Sequence, residues 1–389
     1  MKKIRLIMKS MLFVLIIICS LFIRGTKHIK ADEELVKYAK SAILIEVETG
    51  TVLYEYNAHE RYEPASMTKI MTMKLILDAL ASKRIEKNQM LTTSENAKSK
   101  GGTQIFLEVG EKMKVDDLFK AMVIASANDA ATTLAEGVSG SEQFFVAQMN
   151  EEVKKLGLRN THFSNVTGLP TENHYSSSYD MAMIARNLLV KYEDDIIPYT
   201  SRYEDYVRED SDKPFWLVNT NKLIKHAEGV DGLKTGWTES AGYCLTCTKR
   251  KDGMRLVSVV MNADTVPHRS EDTLSLLNYG FATYEKMVIV PKNTKVKKDK
   301  NILLDPSTYN IITSNSVVKV IKKNTKLNNP KIEIEYDIAR INTLNQYNIG
   351  KMKVYVDDKL IGEANLELEK TPKKNSFLNV LKLILKQIL

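Results

Sequence analysis

The sequence predicts an α+β protein: a sheet covered by helices, followed by a small all-β domain. Three observations carry this. Strand-like runs open and close residues 32–284 with helical periodicity between them, so the two ends of that segment meet in one sheet under a helical cover. From Val288 to Leu368 the helical pattern gives way to short alternating strands. A chain of 389 residues, 43% hydrophobic and 27% charged, suits two or three globular domains and excludes disorder, collagen and coiled coil.

Ser41–Val47 and Val52–Tyr56 read as a hairpin about Glu48-Thr49-Gly50. Apolar residues at helical spacing follow in Met67–Leu80, Val115–Ala125 and Ser141–Leu156. Strands return at Gly242–Thr248 and Arg255–Met261 around the turn Lys251-Asp252-Gly253, and a helix near Glu271–Tyr284 closes the segment. The later strands are Val317–Ile321, Lys331–Tyr336, Lys351–Val356 and Ala364–Leu368, with Asp357-Asp358 turning the last hairpin. Cys244 and Cys247, three apart on a strand, point to opposite faces, one to core and one to surface, so neither a zinc site nor a disulfide is expected. Trp216 and Tyr243 are read as core.

The formal charge of +8 is concentrated at the ends. Residues 1–31 hold seven bases and 370–389 hold five, with no acid in either, leaving −4 for the body. That distribution argues against a nucleic-acid groove and for a membrane at both ends. Lys2, Lys3, Arg5 and Lys9 precede the apolar run Met11–Ile23, shorter than the ~20 residues of a spanning helix; this predicts a secretory signal over residues 1–31, ending at Ala31. Bulky Ile18 before Cys19 argues against lipidation. At the other end, Asn375, Asn379, Lys382 and Lys386 line one face of a helix, and Leu378, Leu381, Leu385 and Ile388 the other. Residues 369–389 are therefore expected to lie on an anionic membrane surface, with Pro372 as a hinge and Lys373-Lys374 as an electrostatic foot.

Three short motifs carry chemistry. Ser66-Met67-Thr68-Lys69 is S-x-x-K at a helix start, which puts a lysine one turn from a serine hydroxyl. Such a hydroxyl must hand its proton to a base, and a lysine serves when burial and nearby positive charge hold it neutral. Ser126-Ala127-Asn128 offers a proton-relaying hydroxyl and an amide able to grip a peptide backbone. Lys234-Thr235-Gly236 reads as a strand edge where a cation and a hydroxyl can hold a carboxylate and a glycine admits a ligand close to the backbone. Each is common alone; the ordered set is specific.

With these motifs, and with Thr49–Tyr54, Pro64–Thr72, Gly101–Gln104, Ile124–Ala130, Phe163–Leu169 and Gly229–Gly236 around them, the sequence resembles the penicillin-binding protein and serine β-lactamase superfamily. More closely it resembles the low-molecular-mass D-alanyl-D-alanine carboxypeptidases, over about residues 33–368. The resemblance implies a penicillin-binding-type catalytic domain over 32–284 with an antiparallel sheet, and a β-sandwich-like domain over 285–368. It implies Ser66 as nucleophile, Lys69 as its base, Ser126 as proton relay, and Asn128, Lys234, Thr235 and Gly236 as substrate contacts. The backbone N–H groups of Ser66 and Trp237 would form the oxyanion hole. Trp237 and Val166 depart from the residue types usual at their positions.

The implied reaction removes the terminal D-alanine from peptidoglycan stem pentapeptides through an acyl-enzyme, without cofactor or metal, outside the cytoplasmic membrane. Peptidoglycan stem peptides and β-lactam antibiotics are the expected partners. D,D-endopeptidase action on cross-links is the alternative. A β-lactamase is disfavoured because Glu172-Asn173-His174-Tyr175 does not supply the water-activating glutamate pattern of the best-known lactamases, and a silent wall-binding module because Ser66 and Lys69 are both present.

Overall fold

The computed structural model describes residues 35–388 apart from 210, 326–329, 337–347, 357 and 372. The signal segment, Pro372 and Asp357 therefore lie outside the described residues. Five strands build the main sheet: β1 (Ser41–Glu46), β2 (Val52–Tyr56), β3 (Val230–Thr238), β4 (Gly242–Lys251) and β5 (Met254–Ala263). Their order is β2-β1-β5-β4-β3, every neighbouring pair antiparallel. The two ends of the segment thus meet at the β1–β5 pairing, and β3, which carries Lys234-Thr235-Gly236, is an edge strand.

Seven helices matter for the argument: α1 (Lys69–Ala81), α2 (Val115–Ile124), α3 (Asn128–Ser139), α4 (Glu142–Lys155), α5 (Ser178–Thr200), α6 (Val266–Thr283) and α7 (Phe377–Ile388). Helices α4, α5 and α6 start on side chains that satisfy otherwise orphaned amides: Ser141, Ser177 and Thr265 accept from the N–H groups of Phe144, Asp180 and His268. The sheet is covered on both faces. Ile43, Ile45, Val257, Val259 and Met261 join the core formed with α1 to α5. Leu44 and Leu256 point the other way and close against Gly280 of α6.

This double cover corrects the reading of Cys247. Cys244 and Cys247 are both fully buried free thiols, because the face opposite the main core is capped by α6 rather than by water. Burial pushes their thiols up to about 11 and about 12, which makes them poor nucleophiles. Trp216 is corrected in the opposite sense. It sits on the short hairpin Glu204–Val207/Phe215–Val218 and is 54% exposed.

After α6 a second sheet is built from β6 (Lys295–Lys300), β7 (Thr308–Thr313), β8 (Lys331–Tyr336), β9 (Gly350–Val356) and β10 (Lys359–Leu368), in the order β6-β7-β10-β9-β8. The ribbon Tyr284–Val290/Val317–Lys322 packs on it, and Val290, Val317, Ile311, Val354 and Leu366 share one separate core. Helix α7 follows with an uncovered apolar face; Leu378 is 68% exposed, and Leu381 and Leu385 are exposed too. Both side chains of Lys373-Lys374 are exposed. The backbone of this stretch pairs antiparallel with Leu304-Asp305. Asn375, expected on the helix stripe, instead precedes α7 and bonds to the carbonyls of Ile302 and Leu303.

Candidate active site

Ser66 lies in a turn of 3-10 helix, Ala65–Thr68, that runs straight into α1, whose first residue is Lys69. Three residues per turn eclipse positions i and i+3, which superposes the two side chains more closely than an α-turn would. Lys69 Nζ donates to Ser66 Oγ at 2.9 Å, to Asn128 Oδ1 at 2.6 Å and to the carbonyl of Thr167 at 2.7 Å. Lys69 is fully buried. Burial first, and then the charge of Lys234, hold its ammonium well below the ordinary lysine range, against a smaller opposing pull from Asp129.

Asn128 opens α3 directly after the turn containing Ser126, whose φ of +67° is in the left-handed region. The segment before it is clamped. Asn128 donates from Nδ2 to the carbonyl of Gly101 and from its backbone to Thr103, and Asp129 accepts from the amides of Ile105 and Leu107. Both residues of the motif are buried. Ser126 is not among the partners of Lys69; it stands two residues before one of them.

Lys234 is buried on β3, and its Nζ donates to the carbonyl of Thr235. Burial, and then Arg269 on α6, lower its ammonium to about 7. Thr235 donates to the hydroxyl of Thr220 at 2.7 Å. Gly236 is where β3 meets the turn carrying Ser66: a Cβ there would lie 2.7 Å from the carbonyl of Pro64 and 3.2 Å from Ser66 N. Gly168 presses from the other side with φ +84°, and a Cβ there would lie 1.8 Å from the carbonyl of Ala65. The turn carrying Ser66 is thus held between two glycines. Trp237, next along β3, is 58% exposed, its ring tilted against Tyr243, which is half-buried rather than core.

The structure therefore brings Ser66, Lys69 and Asn128 into direct contact, with Lys234 close enough to bias Lys69 and Gly236 against the Ser66 backbone. Sequence reasoning missed the parts played by Thr167, Gly168 and Arg269, and it set His174 aside as a base because Lys69 already supplies one. His174 is buried against the turn that carries Ser66; its Nδ1 accepts from Ser164 N and its Nε2 donates to Thr68 Oγ1 at 2.8 Å. Burial lowers it to about 4, so it is neutral with both nitrogens engaged. That arrangement leaves it no role as a base. Among the described residues no group of three His, Cys, Asp or Glu side chains converges to hold a metal ion.

A helix-covered antiparallel sheet, a serine bonded to a buried lysine, and a Lys-Thr-Gly edge strand define a serine acyl-transfer enzyme of the penicillin-binding type. The comparisons agree. The model of the D-alanyl-D-alanine carboxypeptidase family matches residues 28–265. The chain is 45% identical over 359 residues to the D-alanyl-D-alanine carboxypeptidase DacF of Bacillus subtilis, covering 91% of this chain and 90% of that protein. Penicillin-binding protein 5 from Haemophilus influenzae superposes with a TM-score of 0.69 at 28% identity, over 87% of this chain and 98% of that one. Penicillin-binding protein D2 from Listeria monocytogenes, solved in its ampicillin-bound form, superposes with a TM-score of 0.56 at 32% identity, over 62% of this chain and 97% of that one. The chain belongs to the D-alanyl-D-alanine carboxypeptidase family and is a serine-type carboxypeptidase, a hydrolase.

Proposed function

We propose that Ser66 attacks the carbonyl of the penultimate D-alanine of a peptidoglycan stem pentapeptide, that Lys69 takes its proton, and that Ser126 passes a proton to the departing D-alanine. Asn128 grips the substrate backbone, and the N–H groups of Ser66 and Trp237 hold the oxyanion. Lys234 and Thr235, with Arg269 behind them, hold the terminal carboxylate. The observation that carries this reading is the 2.9 Å bond between Ser66 Oγ and a lysine whose burial disfavours its charged form. β-Lactams enter by the same acylation; a homologue solved with ampicillin supports this. Residues 32–284 form the catalytic domain and 285–368 a β-sandwich-like domain.

The experiment is product analysis on a pentapeptide ending in D-Ala-D-Ala, beside the same peptide with an amidated terminus. The free acid should release D-alanine, and the amide should be cut at least about tenfold more slowly, because a buried cation loses its carboxylate partner. Equal rates would show that the terminus is not read and would favour endopeptidase action.

The protein is secreted and peripherally attached to the outer face of the cell membrane through α7. Support comes from the basic, apolar first residues and from the exposed apolar face of α7; among the described residues no helix is long and apolar enough to cross a membrane. Each Lys near an anionic leaflet contributes about 1 kcal/mol, and each inserted CH₂ roughly 0.8 kcal/mol. The mature chain should sediment with anionic liposomes and stay there in high salt, whereas a chain ending at Glu369 should remain in solution and still cleave small peptides. Equal sedimentation of the two would refute the attachment.

A further inference from the structure

We propose that the turn at residues 301–304, between β6 and β7, is a second point of contact with an anionic lipid surface and inserts the side chain of Leu303 beside the start of α7. The inference rests on the membrane attachment read above for α7. The turn is closed on itself. Leu303 N donates to Asn301 Oδ1 at 3.0 Å, Leu304 N to the Asn301 carbonyl at 3.1 Å, and Asn301 N to the carbonyl of Ser307 at 2.7 Å. Leu304 is buried in the core of the second domain, so it anchors the turn inward, and its neighbour Leu303 is turned out and left 56% exposed. One exposed leucine alone is ordinary, but this one has company. Asn375 grips the same turn: its N–H bonds to the carbonyl of Leu303 at 2.9 Å and its Nδ2 to that of Ile302 at 3.1 Å. Two residues later α7 opens with Phe377, 80% exposed, and Leu378. Asn375 thus ties the helix to the turn, and the two enter a surface together.

The charge around the turn has the sign such a surface requires. Lys300 leads into it, Lys298 shares a face of β6 with Lys300, and Lys373 and Lys374 pair along the strand that leaves it; all four side chains are exposed. Lys297 and Asp299 point to the other face of β6, where both meet Tyr336. The nearby carboxylates are engaged with other lysines, Glu369 with Lys295 and Asp299 with Lys297. Asp305, opposite Lys373 in the pairing, is an exposed acid, and against four lysines it leaves the patch positive. An apolar tip flanked by ammonium groups fits a layer of anionic headgroups over hydrocarbon: the lysines meet phosphates while the leucine passes between them.

The test uses the mature chain, residues 32–389, which lacks Cys19. Cys244 and Cys247 are buried with raised thiols, so a cysteine placed on the surface takes a thiol-reactive, environment-sensitive dye selectively. Dye on Leu303→Cys and, separately, on Leu378→Cys is followed as vesicles of phosphatidylglycerol and phosphatidylcholine are added. Both should shift to the blue and be quenched by lipids brominated in the acyl chain. Unlabelled Leu303→Asp should bind these vesicles at least about tenfold more weakly, having lost an apolar side chain and gained a charge of the wrong sign. It should release D-alanine from a small peptide at the wild-type rate, which shows that it is folded. A shift at position 378 without one at position 303, or wild-type binding by Leu303→Asp, would overturn the proposal and leave the attachment through α7 standing. No shift at either position would sink the attachment and this inference with it. A shift at position 303 that appears without vesicles and grows with protein concentration would assign the turn to a second copy of the chain, and would overturn the proposal as well.

Discussion

Replacing Ser66 by alanine is expected to abolish both D-alanine release and covalent labelling by penicillin. In the proposed mechanism the hydroxyl oxygen becomes acylated, so its loss removes the two-step path and leaves only binding and the oxyanion hole, a fall of at least about 10⁴-fold in kcat. Stability should change little. Ser66 is half-buried, and alanine deletes one hydroxyl and one bond from Lys69, which keeps Asn128 and the Thr167 carbonyl. The checks are peptide mapping of penicillin-labelled wild type, which should place the label on Ser66, and a thermal melt of the variant close to that of the wild type. Label retained in Ser66→Ala would move the nucleophile elsewhere.

Lys69→Met should slow acylation by about 10³-fold, within the range for removing a positioned general base. The pH profile separates a base from a merely structural lysine. As the proposed base Lys69 acts only when neutral, so its limb in kcat/KM should rise with pH through a pKa displaced well below the ordinary lysine value. Lys234 must be charged to hold a carboxylate, so its limb falls as pH rises through about 7 in the free enzyme. The two are coupled, since the charge of Lys234 is one of the causes that lower Lys69, and the resulting bell belongs to the pair. The residual activity of Lys69→Met should lack the rising limb. A rising limb that survived would call for another base, and His174 is a poor candidate because both of its nitrogens are engaged.

Much of this was legible because it is written in side chains at fixed spacing. The β1–β2 and β4–β5 hairpins and helices α1, α2 and α4 follow from apolar periodicity and turn residues, and the three motifs announce Ser66, Lys69, Asn128 and Lys234. What was missed falls into four physical kinds. Thr167 contributes a carbonyl, which every residue has, so no residue type could announce it. Arg269 reaches Lys234 from α6, and only the folded sheet brings them together. Cys247 and Trp216 were misread because local pattern does not say whether a second layer covers a face. A helix covers Cys247, whereas Trp216 is left 54% exposed. The two glycines flanking Ser66 were visible as letters, but their purpose is steric and appears only when the Ala65 carbonyl is found against one of them.

The three bonds of Lys69 have a consequence for the direction of proton flow. An ammonium offers three N–H groups, whereas a neutral amine offers two and a lone pair. Two of the three partners are fixed acceptors. The Thr167 carbonyl has no proton to give, and Asn128 has already turned its NH₂ toward Gly101, leaving only its oxygen facing the lysine. Ser66 alone can reverse its role, from accepting a proton to giving one. When Lys69 is neutral, its two remaining N–H groups are claimed by Asn128 and Thr167, and the lone pair is left facing the serine hydroxyl. No heavy atom has to move, so in the proposed mechanism Ser66 is armed by the loss of a single proton from Lys69 and disarmed by its return.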